Sequence, residues 1–200
     1  MWRWLPVLLL LLSPRASARA ERFLTTEQAQ KLCFPVADRL ESRTFRFTAE
    51  QLRAIQSTSG QRVQAKGSRV RIAWQGTNLL GVLILDHVLG KHEVIDYAAA
   101  LNPAGTVQRV EILEYRESHG GEIRSAKWRE QFTGKTGRSR LRLNDDIHNI
   151  SGATISCRSV TDGVRRVLAT FAHVIQPALA ADIAGGAAGR LPVNPASLSR

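Results

Sequence analysis

Residues 70–115 read VRIAWQGTNLLGVLILDHVLGKHEVIDYAAALNPAGTVQRVEILEY. Four runs, Val70 to Trp74, Leu79 to Val88, Val94 to Leu101 and Val107 to Tyr115, are aliphatic, rich in β-branched residues and of strand length. Turn formers separate them: Gln75-Gly76-Thr77-Asn78, Gly90-Lys91 and Asn102-Pro103-Ala104-Gly105, with Gly120-Gly121 after the last. Connections this short have no room for the crossover helices of a parallel sheet, so the stretch predicts an antiparallel meander.

Helices flank these strands in the sequence. Thr25-Thr26-Glu27-Gln28 and Thr48-Ala49-Glu50-Gln51 both have capping-box spacing, a hydroxyl followed three residues later by a side chain that can reach back. Pro35 ends or kinks the first helix, and Leu52 and Ile55 give the second its apolar spacing. A short helix is expected over Ser125 to Phe132. The clearest one follows: Val160, Val164, Val167, Leu168, Phe171 and Ile175 form one stripe of period near 3.6, with Asp162, Arg165 and Arg166 away from it. The expected fold class is α+β, a small antiparallel sheet packed by helices, with the last helix closing the core.

Residues 1–20 are set apart as a signal peptide: Arg3, the apolar run Leu5 to Leu12, and Ala18-Arg19-Ala20 as an A-x-A cleavage site. That run is well short of the roughly 20 apolar residues a spanning helix needs. Residues 21–175 are expected to form one domain, and 176–200, rich in Ala, Gly and Pro, a flexible tail. Removing Arg3, Arg15 and Arg19 takes the net charge from +11 to +8. A basic surface suits anionic lipid or an acidic protein. Nucleic acid is excluded, since the chain reads as exported and shows no nucleic-acid module. Arg62, Lys66, Arg69 and Arg71 are scattered, whereas Lys135 to Arg142 is a denser stretch with the pattern of a solvated loop. A bridge between Cys33 and Cys157 is permitted in an oxidising compartment but not implied. There is no C-x-x-C-H for haem, and five histidines without ligand spacing predict no metal.

Directly before the last helix stands Asp145-Asp146-Ile147-His148-Asn149-Ile150-Ser151-Gly152-Ala153-Thr154-Ile155-Ser156. Small residues let a ligand approach the backbone, Gly152 permits a tight turn, and Thr154 offers a hydroxyl at the helix mouth. The unpaired amides and positive dipole end of a helix start would stabilise an anion there. Taken as residues alone, Ser151, Thr154 and Ser156 serve equally well as ordinary helix caps.

Ser151-Gly152-Ala153-Thr154 followed by Ile155-Ser156 resembles the flavinylation motif of the FMN-binding domain family. That family includes the FMN-bearing subunits of sodium-pumping NADH:quinone oxidoreductase and Rnf complexes and the exported domain of the nitrous-oxide regulator. Gly90-Lys91-His92-Glu93, Val110 to Tyr115 with Glu117, Trp128-Arg129-Glu130-Gln131-Phe132 with Gly134-Lys135, and the helix from Val160 to Leu168 extend the resemblance. It spans roughly Thr25 to Phe171. Where family members carry an acidic residue six positions before the modified threonine, this chain has His148, with Asp145 and Asp146 upstream.

The resemblance implies FMN held covalently, as a phosphodiester to Thr154 made by a flavin transferase from FAD. The implied cofactor-binding set is Thr154, Ser151, Gly152, Ala153, Ile155, Ser156, His92, Glu93 and Trp128. Trp128 and Phe132 suit a core as well as a flavin stack, and His92 beside Glu93 suits a surface pair as well as a proton relay. The chain is then an electron carrier rather than a self-contained enzyme. It would relay electrons between a membrane redox complex and an exported partner such as a cytochrome, in the periplasm or on the outer side of the bacterial inner membrane, with contact to the membrane surface. The competing readings are a flavin-dependent reductase of a small substrate and a flavin-free basic adaptor.

Overall fold

The computed structural model describes residues 21–63 and 65–185. The expected signal peptide, residues 1–20, and residues 186–200 of the expected tail lie outside the described residues. The domain is α+β, with one antiparallel sheet in the order β1-β6-β5-β4-β3-β2. Five long strands, β2 (Arg39–Arg46), β3 (Gly67–Gln75), β4 (Asn78–Leu89), β5 (Val94–Leu101) and β6 (Val107–Tyr115), carry the sheet, and β1 (Glu21–Arg22) adds a two-residue edge. β3 to β6 follow one another as the meander that the turn residues predict. The strand β2 carries no sequence signal. Its Arg-Leu-Glu-Ser-Arg-Thr-Phe-Arg buries only Phe45, so it has no apolar alternation to find. The ladder to β3 holds it, helped by Arg39 over the Trp74 ring at 5.0 Å and Arg43 over Phe45 at 4.7 Å.

The helices are α1 (Thr26–Cys33), α2 (Ala49–Ser59), α3 (Ala126–Arg129), α4 (Thr154–Thr170) and α5 (Gln176–Ala184). Both expected capping boxes are formed, Thr25 with Gln28 and Thr48 with Gln51. On one face of the sheet, α4 buries Val160, Val164, Val167 and Leu168 against Val82, Ile84, Ile95 and Tyr97, with Ile55 of α2 in the same core. Gly163 lets α4 approach closely, since a Cβ there would collide with Tyr97 Oη and Val88. The other face is thinly covered: α1 packs Ala29, with Phe34 beyond it, on Ala73, Leu83, Ala98 and Ala100.

The start of the expected flexible tail is corrected by the structure. Phe171–Ile175 is one π-helical turn and Gln176–Ala184 continues as helix, with Leu179 buried. Proline disrupts helices because it lacks an N–H. Here Pro177 sits at the start of α5, just after the wide π turn, where that loss is absorbed. The combined helix Thr154–Ala184 is long and apolar enough to cross a bilayer by length and composition, yet its first half is the core helix of the domain.

The two cysteines are free and lie in different clusters, Cys157 in the α4 core and Cys33 on the α1 side. The sheet stands between these clusters. Burial, aided by the nearby Glu111 carboxylate, pushes the Cys33 thiol up to about 12.

Candidate functional site

The site is built around the start of α4. Its cap residue, Ala153, has φ −116° and ψ 16° and makes no side-chain cap bond. The amides of the first turn therefore point outward without a side-chain acceptor. Thr154 occupies the first helical position, half-buried, and its Oγ1 accepts from Asn149 Nδ2 at 2.9 Å. The Asn149 Oδ1 is buried without a partner among the described residues. Ser151 and Gly152 are exposed, Gly152 has φ +85° with open space where a side chain would stand, and Ile155 is 48% exposed.

Tertiary bonds hold this turn from beneath. The Tyr115 phenol at the end of β6 donates to His119 O, so the buried Ser156 hydroxyl is the donor to Tyr115 Oη at 3.1 Å. The Trp128 indole N–H donates to His148 O at 2.8 Å, and His148 N–H donates to Gln131 Oε1 at 2.6 Å. Trp128 is buried, edge-on to Phe132 with centroids 5.2 Å apart. It is a strut under the motif loop, placed there partly by Arg129, which bonds Val110 O at 2.8 Å and the buried Glu111 carboxylate at 2.5 Å.

The Asp146 carboxylate accepts from Leu141 N, Arg142 N and Lys135 Nζ. Burial acts to raise this carboxyl, but the backbone and lysine donors outweigh it and hold it below its ordinary value. These bonds hold Leu141 at φ +47°, a left-handed conformation that a branched side chain rarely adopts. Asp145 pairs with Arg140 at 3.0 Å. The His148 side chain is exposed.

A cleft of about 710 Å³ opens beside Gly152, walled by Phe23, Tyr115, Glu117, His119, Gly120 and Arg124. It falls within the range of sites that take a whole cofactor, about 300–1,000 Å³. Arg124 lies 4.2 Å over the Phe23 ring. Glu117 Oε1 accepts from His92 N at 2.6 Å and Glu93 N at 3.0 Å. Burial opposes ionisation of Glu117, but the amides of Glu93, His92 and Lys91 win and lower its pKa. His92 and Glu93 thus do not line the cleft but hold its wall residue Glu117 through their amides, and both are exposed.

Residues 90–169 match the model of the FMN-binding domain family. Over these residues the chain is similar to the FMN-binding domain. The match runs from the β4–β5 turn to the last full turn of α4, taking in Glu117, the Trp128 strut and the Thr154 turn. It is narrower than Thr25 to Phe171. The crystal structure of Shewanella oneidensis NqrC is similar in fold, with a TM-score of 0.51 and 14% identity over 74% of this chain and 86% of that one. No curated protein matches the sequence.

Of the residues expected to bind the cofactor, the fold brings Ser151, Gly152, Ala153, Thr154, Ile155 and Ser156 together at one helix start. His92 and Glu93 bond Glu117 of the neighbouring cleft by their amides without lining it, and Trp128 supports the turn from the core. The structure adds Asn149, Tyr115, Glu117, Phe23 and Arg124 to the site. Asn149 lies within the quoted motif, and Tyr115 and Glu117 lie within the resemblance. Phe23 and Arg124 give no local signal, because they meet only through the fold.

Proposed function

We propose that the domain holds FMN as a phosphodiester on Thr154 and relays electrons between a membrane oxidoreductase and an exported redox partner. The observation that carries this reading is the uncapped start of α4, with Thr154 at its first position and its hydroxyl held by Asn149. In maturation a flavin transferase would use FAD: the Thr154 Oγ1–P bond forms, the pyrophosphate P–O bond breaks, AMP leaves and the hydroxyl proton is lost. The Asn149 amide donates to Oγ1, a bond that an ester oxygen can still accept. The open amides of α4 and the backbone of Ser151 and Gly152 would hold the phosphate. Phe23, Tyr115 and Arg124 would wall the ring. FMN supplies the redox chemistry, and the protein supplies tethering and local charge.

Intact mass and the visible spectrum test this. The exported protein, co-expressed with a flavin transferase, is expected to gain FMN less water and to stay yellow after denaturation, and Thr154→Ala to do neither. A colourless protein of unmodified mass overturns the reading and returns the chain to a basic adaptor. The exposed His148 stands where the family has a carboxylate, and Asp146 is committed to Leu141 and Arg142. His148→Asp is therefore expected to speed flavinylation about tenfold, an ordinary gain for one charged contact. An unchanged rate would show that the transferase does not read this position.

A further inference from the structure

On the flank of α4 that carries Ser159, Asp162 and Arg166 lies a second recess of about 330 Å³, closed by Arg62 of the loop after α2 and by Leu89 at the end of β4. Leu89 is 62% exposed. Ile155, one turn before Ser159 on α4, is 48% exposed. Four exposed cations lie at the recess or next to its lining residues along the chain: Arg62 itself, Lys66 beside Ala65, Lys91 two residues past Leu89, and Arg158 beside Ser159. None of the four has an ionic partner among the described residues. The nearby acids are mostly engaged. Arg166 and Tyr97 bond Asp86, Arg165 bonds Asp162, and backbone amides bond Glu117, which leaves Glu93 as the exposed acid of this rim.

We propose that this rim docks an acidic electron-transfer protein, with Leu89 and Ile155 at the apolar centre of the contact and Arg62, Lys66, Lys91 and Arg158 steering the approach. The inference rests on the reading that Thr154 carries FMN, because Ile155 adjoins that residue. Unpaired cations around a small apolar centre favour fast, salt-sensitive encounter with a surface of opposite charge. A protein fits better than a lipid surface. The patch includes the neighbour of the attachment point, where a partner's cofactor can come close, whereas lipid would interpose a layer with nothing to accept electrons.

The test is a binding titration with an acidic ferric c-type cytochrome as probe, using both the flavinylated protein and flavin-free Thr154→Ala. Both are expected to bind at low ionic strength and to weaken steeply with salt. Arg62→Glu with Lys66→Glu, and separately Lys91→Glu with Arg158→Glu, should each weaken binding about tenfold or more. Lys31→Glu, exposed on α1 against the opposite face of the sheet, should leave it unchanged. Binding that ignores salt or both reversed pairs overturns the proposal. So does a pattern in which the reversed pairs lose binding to phosphatidylglycerol vesicles but keep the cytochrome, which would make the patch a membrane contact. Because Thr154→Ala never carries flavin, its binding survives a failure of the flavin reading, and the two failures are told apart.

Discussion

Thr25 and Thr48 each stand one residue before a helix with an extended backbone, ψ 162° and 163°, and each side chain accepts from the amide three residues on. Thr154 stands inside its helix, behind Ala153, whose ψ of 16° turns the chain away from capping geometry. The same residue type therefore does two jobs. At α1 and α2 the hydroxyl satisfies the helix and is used up; at α4 the backbone withholds it, and both the hydroxyl and the first-turn amides stay available to an anion.

The sharpest way to break this contrast is to remove the hydroxyl at both kinds of position. Thr154→Ala should abolish covalent flavin outright yet change stability by less than about 1 kcal/mol, since alanine is the better helix former and only the Asn149 bond is lost. Thr48→Ala should do the reverse, costing about 1 kcal/mol with flavin content unchanged. Urea melts of both variants beside flavin absorbance check this. A large stability loss at Thr154 with flavin retained would mean that the threonine is a structural cap after all.

Ser151→Asp probes the same helix start with a smaller expected effect. A carboxylate at this exposed position faces the positive end of α4 and should stabilise the fold by a few tenths of a kcal/mol. The same charge would repel an incoming phosphate, so flavinylation should slow about tenfold by the same Coulombic argument. Stability and loading then move in opposite directions, measured by thermal melts and by mass over time. If both rise, the phosphate does not sit at this helix start.

Much of this arrangement was legible along the chain, and what was hidden has physical causes. β3 to β6 announce themselves because apolar runs alternate with Gly, Asn and Pro turns. α1 and α2 do so by their boxes, and α4 by its stripe. β2 is an edge strand with solvent on both sides of most residues, so selection for burial left no pattern. α5 was masked by Pro177, whose effect depends on a π turn that no local signal marks. At the site, the motif gave the helix start, but the cleft joins Phe23 from the first strand region, Tyr115 from the sixth strand and Gly152 from the motif loop. Sequence separation of that kind is resolved only by the sheet order.

Acid offers the finest division between the two kinds of helix start. The boxes at Thr25 and Thr48 use hydroxyls and amides, which do not titrate. The loops around α4 are instead anchored by Glu117 and Asp146, both held below their ordinary values, about 4.3 and 3.9. A carboxyl depressed in the native state contributes stability that is present above its ordinary pKa and is lost as pH falls through the native one. Below about pH 4, protection against amide exchange, relative to the intrinsic rate at each pH, should therefore fall first at His92 and Glu93, the donors to Glu117, and at Leu141 and Arg142, the donors to Asp146. The amides of Gln28 and Gln51 should keep their protection over the same interval. Both carboxylates are largely solvent-screened, so the effect is small and local rather than a global unfolding. Uniform loss at all six amides would show that the flavin end has no separate stability. Loss confined to the four loop amides would establish that the site is held by charge where the rest of the helix starts are held by caps.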